Sequence, residues 1–253
     1  MCGIYFCCIT DGCDEHCDLD SFRNILSRRG PDFTQENCLQ CPGFCLHMFS
    51  SVLWLQGDTM TEQPVLDQFG NILMWNGDIF EMIDHERNSQ VSDTEVLSKL
   101  LSQASSPTEI LEIMSRIRGP WAIVYFHQAS NTVWFGRDFF GRQSLLISRS
   151  EGKLCLSSVV SAEMSSYREV PALGLYSCQL AGPGPLHLHL HPWDSLQHSL
   201  DLPLLAELDC SVSSQTVTCP VSLQSNLTVL ELSPHDVLLF LLPSLPSPDP
   251  SAV

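Results

Sequence analysis

The chain has 253 residues, an apolar fraction of 44% and a formal charge of −17, so it is long and apolar enough to bury a core rather than remain disordered. That acidic balance excludes nucleic acid and an anionic membrane surface as main partners. No apolar run approaches the roughly 20 residues needed to cross a bilayer. The twelve cysteines, with no secretory leader in view, are expected as reduced thiols in a cytosolic protein.

In chain order, β-rich runs are expected at 3–9, 52–55, 72–75, 121–126, 132–136, 144–148, 154–157 and 173–180, with strand-like material continuing to 193. Three helical patterns interrupt them. Leu19, Phe22, Ile25 and Leu26 are spaced as one helix face and stop before Gly30-Pro31. Val96, Leu97, Leu100 and Leu101 form a second stripe. The third helix has Ser106 as N-cap, Pro107 at N1, Glu109 at N3 and Gly119 past its end. Many strands with few helices imply an α+β fold of two packed sheets with helices outside. No Lys or Arg follows Arg168, and from Asp194 on the chain is acidic and rich in Leu, Pro and Ser. Two segments are therefore expected, a folded domain over 1–193 and a low-order tail over 194–253.

Three features bear on chemistry. Cys2 follows Met1, so removal of Met1 would expose a thiol nucleophile beside its own α-amine, a base of pKa about 7.7–8.0. Asn76-Gly77 lies between two β-like runs; it is either a hairpin turn or a pair of donors for an oxyanion. Ser92-Asp93-Thr94-Glu95 is either an ordinary helix start or a site where Asp93 meets a substrate ammonium group. A zinc reading also exists, since Cys38-x2-Cys41-x3-Cys45, with Cys13, His16 and Cys17 upstream, has ligand-like spacing. His187, His189 and His191 alternate and are expected on one exposed strand face.

Taken together and in order, MCGI, Arg29-Gly30-Pro31-Asp32, Gln63-Pro64, NGDIF, SDTEVL, RGPWAIVYF and FGRDFFGRQSLL resemble the N-terminal glutaminase domain of asparagine synthetases, most closely their asparagine synthetase domain-containing group. The resemblance runs over about 1–193. It implies the four-layer αββα fold of N-terminal nucleophile (Ntn) hydrolases and an enzyme that hydrolyses glutamine to glutamate and ammonia for asparagine biosynthesis. It further implies Cys2 as nucleophile, Asn76 and Gly77 as oxyanion donors, and Asp93, Asp78 and Arg29 at the substrate. Glycines and charges of the GRDxxG segment, Gly136, Arg137, Asp138 and Gly141, are expected to be architectural. No metal or cofactor is implied for the glutaminase step. ATP and Mg²⁺ would serve only a synthetase half, whose phosphate loop is not seen in 194–253, and ammonia would then pass to a protein partner. One departure stands out. The family's arginine that clamps the glutamine carboxylate has no counterpart in Met48-Phe49-Ser50-Ser51-Val52-Leu53, and no Arg or Lys lies between Arg29 and Arg87.

Overall fold

Alternating inward and outward residues build most of this molecule. A computed structural model describes residues 2–219 apart from 15, 83–89, 162–163, 181, 183 and 197–201. The first half runs β1 (Gly3–Thr10), α1 (Leu19–Ser27), β2 (Phe33–Cys41), β3 (Phe44–Val52), β4 (Val65–Leu66), β5 (Ile72–Gly77) and β6 (Glu81–Met82). Then come α2 (Asp93–Gln103), α3 (Pro107–Ser115), β7 (Ile117–Arg118), β8 (Trp121–His127) and β9 (Thr132–Arg137). The last part holds β10 (Leu146–Ser150), β11 (Lys153–Ser157), β12 (Arg168–Glu169), β13 (Gly174–Gln179), β14 (Leu188–Pro192), α4 (Leu202–Glu207) and β15 (Cys210–Val212).

The strands form a six-stranded sheet in the order β12-β10-β11-β1-β3-β2 and a seven-stranded sheet in the order β15-β14-β13-β9-β8-β5-β4. All pairings are antiparallel except β14 with β15. Side chains one residue apart point to opposite faces, and the core divides accordingly. Ile4, Phe6 and Cys8 of β1 meet Met74, Val124 and Phe135 between the sheets. On the outside of the first sheet, Tyr5 and Cys7 pack under Leu19, Phe22 and Leu26 of α1. On the outside of the second, Trp75, Trp121, Ile123 and Tyr125 pack under Leu97, Leu101, Ile110 and Met114 of α2 and α3. Each such fully buried side chain contributes about 1.5–3 kcal/mol relative to exposure. The layers are therefore helix, sheet, sheet, helix, the α+β Ntn arrangement that the sequence resemblance implies.

Several local expectations change. The hairpin of β2 and β3 was not foreseen: its outer strand alternates half-buried with exposed residues, and polar residues at edge positions hide a strand from a hydrophobicity reading. Residues 53–55, expected as strand, form instead a loop with Trp54 47% and Leu55 74% exposed. Gly119 does not stop α3, which ends at Ser115. It has φ +148°, and a Cβ there would lie 1.9 Å from the Asp78 carbonyl oxygen. His187 and His189 are exposed as expected, but His191 is buried against the Trp134 ring. Packing continues beyond 193: β15 extends the second sheet, and Leu205, Leu208 and Val217 are buried. Residues 220–253, the rest of the expected tail, lie outside those described.

Candidate active site

Cys2 sits just before β1, where the two sheets bring four segments to one end. Gly3 is needed beside it, because a Cβ there would meet the Ser51 Oγ at 2.4 Å. Ser51 uses that closeness: its Oγ accepts from the Gly3 N–H (3.1 Å) and donates to the Leu26 carbonyl (2.6 Å). Gly30 of the Arg-Gly-Pro-Asp segment passes equally near β3, and a Cβ would lie 2.4 Å from the Val52 carbonyl carbon. Asp32 then accepts from the Trp54 N–H (2.8 Å) and fixes the loop after β3.

That loop, the end of β5 and the start of α2 enclose a cavity of about 100 Å³. Its lining includes Cys2, Trp54, Gln56, Gln63, Asn76, Gly77, Asp78 and Gln143. The Asn76 amide is held at both ends. Its Oδ1 accepts from the Cys2 N–H (2.9 Å), and its Nδ2 donates to Gln143 Oε1 (3.1 Å). As a backbone amide the Cys2 nitrogen only donates, so the oxygen of Asn76 faces it, and one of the two Nδ2 hydrogens is left for another acceptor. Along β5 the Trp75 N–H donates to Gln63 Oε1 (2.7 Å), away from β8, whereas the Asp78 N–H donates to the Pro120 carbonyl (2.9 Å) beyond β8's start. Alternate amides of a strand point opposite ways, so the Gly77 N–H points to the side of Gln63, where the cavity lies. A side chain at Gly77 would collide with the Pro120 oxygen at 2.5 Å.

Gln143 is delivered by an organised turn. Arg137 donates to the carbonyls of Gln143 (Nε, 2.6 Å), Val170 (3.1 Å) and Gly141, and Asp138 accepts from the amides of Phe140 (3.1 Å) and Arg142 (3.0 Å) and from Trp121 N–H (3.2 Å). Gln56 plays a similar part on the other wall. It donates to Asp78 Oδ1 (2.7 Å) and accepts from the Asp93 N–H (3.2 Å).

Of the residues expected at the site, Cys2, Asn76, Gly77 and Asp78 line the cavity together. Asp93 and Arg29 are not among the lining residues. The Asp93 carboxylate accepts from the Ile79 N–H (2.5 Å), and Arg29 Nε donates to the Cys2 carbonyl (3.3 Å). Ser92 caps α2 by accepting from the Glu95 N–H (3.1 Å), so the helix-start reading of that segment also holds. Among the described lining residues Asp78 is the one carboxylate and none is Lys or Arg; Arg87 falls outside the described residues. Gln143, Gln56 and Gln63 were not singled out, although Gln63 and Gln143 lie inside two of the matching segments. Their signal was position within a motif, without any chemistry of their own. Burial pushes the Cys2 thiol above its ordinary value, opposed by a backbone hydrogen bond at Leu53 and, less strongly, by the Arg29 charge. Such a thiol does not ionise unaided near neutrality, so reaction would need a base beside it.

A family model described as "Glutamine amidotransferase domain" matches residues 1–175. The chain belongs to this glutamine amidotransferase family. Among curated proteins it is 37% identical over 204 residues to asparagine synthetase domain-containing protein 1 of Homo sapiens, covering 76% of this chain and 31% of that protein. The Gallus gallus protein of that name is 39% identical over 207 residues, covering 76% and 32%. The chain thus spans about a third of the length of these curated relatives. Among solved structures, the B. subtilis glutamine phosphoribosylpyrophosphate amidotransferase shares the fold at TM-score 0.51 and 15% identity, covering 71% of this chain and 48% of that one. The amidotransferase fold explains why four separated segments converge at Cys2: Cys2 precedes the central strand of one sheet, and the oxyanion candidates close a strand of the other.

Proposed function

We propose that this amidotransferase domain hydrolyses the side-chain amide of glutamine to glutamate and ammonia, with Cys2 as nucleophile. The observation that carries the proposal is the Cys2 nitrogen held 2.9 Å from Asn76 Oδ1 on the wall of one cavity. With Met1 removed, the α-amine of Cys2 takes the thiol proton. The sulfur attacks the amide carbon, and the oxyanion that forms accepts from the second Asn76 Nδ2 hydrogen and the Gly77 N–H. The protonated amine then gives its proton to the departing ammonia, and water releases glutamate from the thioester. Asp78 from the cavity wall, with Asp93, supplies negative charge for the substrate ammonium group, and Arg29 supports Cys2 through its carbonyl. No cofactor takes part in this hydrolysis. The family resemblance supports cytosolic asparagine biosynthesis as the setting, with ammonia handed to a partner and with ATP and Mg²⁺ acting only at a synthetase half.

The test is glutamate release by the purified full chain, with Cys2→Ala as control and the N-terminal mass measured to establish Met1 removal. Release by wild type alone is the expected result. A wild-type rate no higher than that of Cys2→Ala would replace hydrolysis with a second reading, a binding scaffold that keeps the fold. The observation favouring that alternative is the cavity lining, in which no described residue can pair with the glutamine carboxylate through a positive charge. Losing such a charge-assisted bond costs about 1.5–3 kcal/mol of binding.

A further inference from the structure

The outer face of the six-stranded sheet carries a concentration of soft donor side chains at its edge hairpin. The register of β2 with β3 sets Cys38 opposite His47 and Gln40 opposite Cys45. Cys38 Sγ lies 3.4 Å from Cys45 Sγ, and Cys45 Sγ lies 3.4 Å from His47 Nε2. All three donor atoms fall within 4.8 Å of one another, with Cys38 exposed and the other two half-buried. An ion could therefore reach them from solvent without any opening of the fold.

These separations suit ligands that share one ion. With Zn–S near 2.3 Å and Zn–N near 2.0–2.1 Å at tetrahedral angles, neighbouring sulfurs stand about 3.8 Å apart and sulfur and nitrogen about 3.5 Å apart. These two separations need adjustments of only a few tenths of an ångström, and the third, between Cys38 and His47, lies within 4.8 Å and closes toward the same range as an ion draws the hairpin in. Two thiolates and an imidazole select a borderline or soft ion over Mg²⁺ or Ca²⁺. We infer that Cys38, Cys45 and His47 form a binding site for a thiophilic divalent cation of the zinc class, with water in the fourth position.

The spacing of cysteines in the sequence points to a different set, and the strand shows why it is wrong. Cys41 is three residues from Cys38, an odd step on a strand, so it faces the opposite side and packs against the core between the sheets. Cys13 is elsewhere too, its Sγ donating to the Glu151 carbonyl (3.4 Å). His47, an even step from Cys45, completes the group instead. The pairing of Gly3 with Ser51 and of Thr10 with Phe44 puts the hairpin tip at the end of β1 remote from Cys2. An ion there would clamp the edge of the sheet and take no part in amide chemistry.

The experiment titrates the reduced, chelator-stripped full chain with Co²⁺ and then with Zn²⁺. A thiolate-to-cobalt charge-transfer band and intense tetrahedral d–d absorption should saturate at one equivalent and be bleached by Zn²⁺. Cys38→Ser, at an exposed edge position that does not challenge folding, should weaken Co²⁺ binding by more than the roughly 10–100-fold that loss of an outer-sphere partner causes. Cys41→Ser should titrate like wild type. The inference is overturned if wild type shows no charge-transfer band, or if Cys41→Ser loses the band as fully as Cys38→Ser does. It is equally overturned if the chain takes up no metal and intact mass finds a Cys38–Cys45 disulfide instead.

Discussion

Asn76 is the residue on which the site turns, because its amide is oriented by what flanks it. The Cys2 N–H fixes the oxygen, and Gln143 Oε1 fixes one of the nitrogen's hydrogens. Gln143 is therefore a positioning residue in the proposed hydrolysis. Gln143→Leu should lower kcat for glutamate release by about ten- to a hundredfold while leaving KM nearly unchanged, since a donor displaced by about an ångström loses mainly the transition state. Steady-state kinetics decide the matter: a raised KM with kcat intact would mean that Gln143 binds substrate instead. Cys2, Asn76 and Gly77 could be named as candidates from motifs with their own chemistry, and Asp78 through the family resemblance, and all four line one cavity. Gln56, Gln63 and Gln143 could not be named, because a glutamine has no spacing or charge that marks it. Only the folded chain shows which amide each one meets.

At the scale of elements, close backbone approach is what requires Gly3, Gly30 and Gly77 around the site. Gly30 lets the loop after α1 run against the end of β3, and Asp32 then ties down Trp54 at the cavity rim. Gly30→Ala would place a methyl 2.4–2.5 Å from the Val52 backbone, where no side chain can rotate away. Overpacking of about 1–3 kcal/mol follows, which in a chain of this size lowers Tm by roughly 2–12 °C. A melting curve within about a degree of wild type would show that this loop does not need to lie so near the strand. The helices were readable from stripes and caps, and Ser106 does accept from the Glu109 N–H (3.3 Å). The β2–β3 hairpin was not readable, because an edge strand with one polar face gives no continuous apolar run.

For the whole molecule, the three buried layers make stability depend on pH through His191. Burial pushes its imidazole down to about 4, with the neighbouring His189 adding to the effect and the backbone at Gln215 opposing it. An unfolded histidine titrates near 6.5, so between about 6.5 and 4 the unfolded chain binds the extra proton and the folded chain does not. This contribution to stability is therefore intact above pH 6.5 and falls as pH drops, by about 3 kcal/mol over its full course. The difference in unfolding free energy between wild type and His191→Phe isolates it from the general effect of net charge. That difference should shift against wild type as denaturant melts are repeated from pH 7 to pH 4.5, and a constant difference would mean that His191 protonates freely in the fold.

By itself the sequence determined the fold class and the family and named a candidate nucleophile, since these rest on local matters: periodicities of two and of three to four, and motifs whose members are adjacent in the chain. The tertiary structure alone decided which side chains share a space. It put Cys41 on the inner face and His47 on the outer, buried His191 while leaving His189 exposed, carried the sheet past residue 193, and set Gln143 against Asn76 across 67 residues of chain. The reason is physical. Strand pairing and layer packing join residues that no local pattern relates, so the proposed nucleophile could be read from one end of the chain, but the amide that orients it could not.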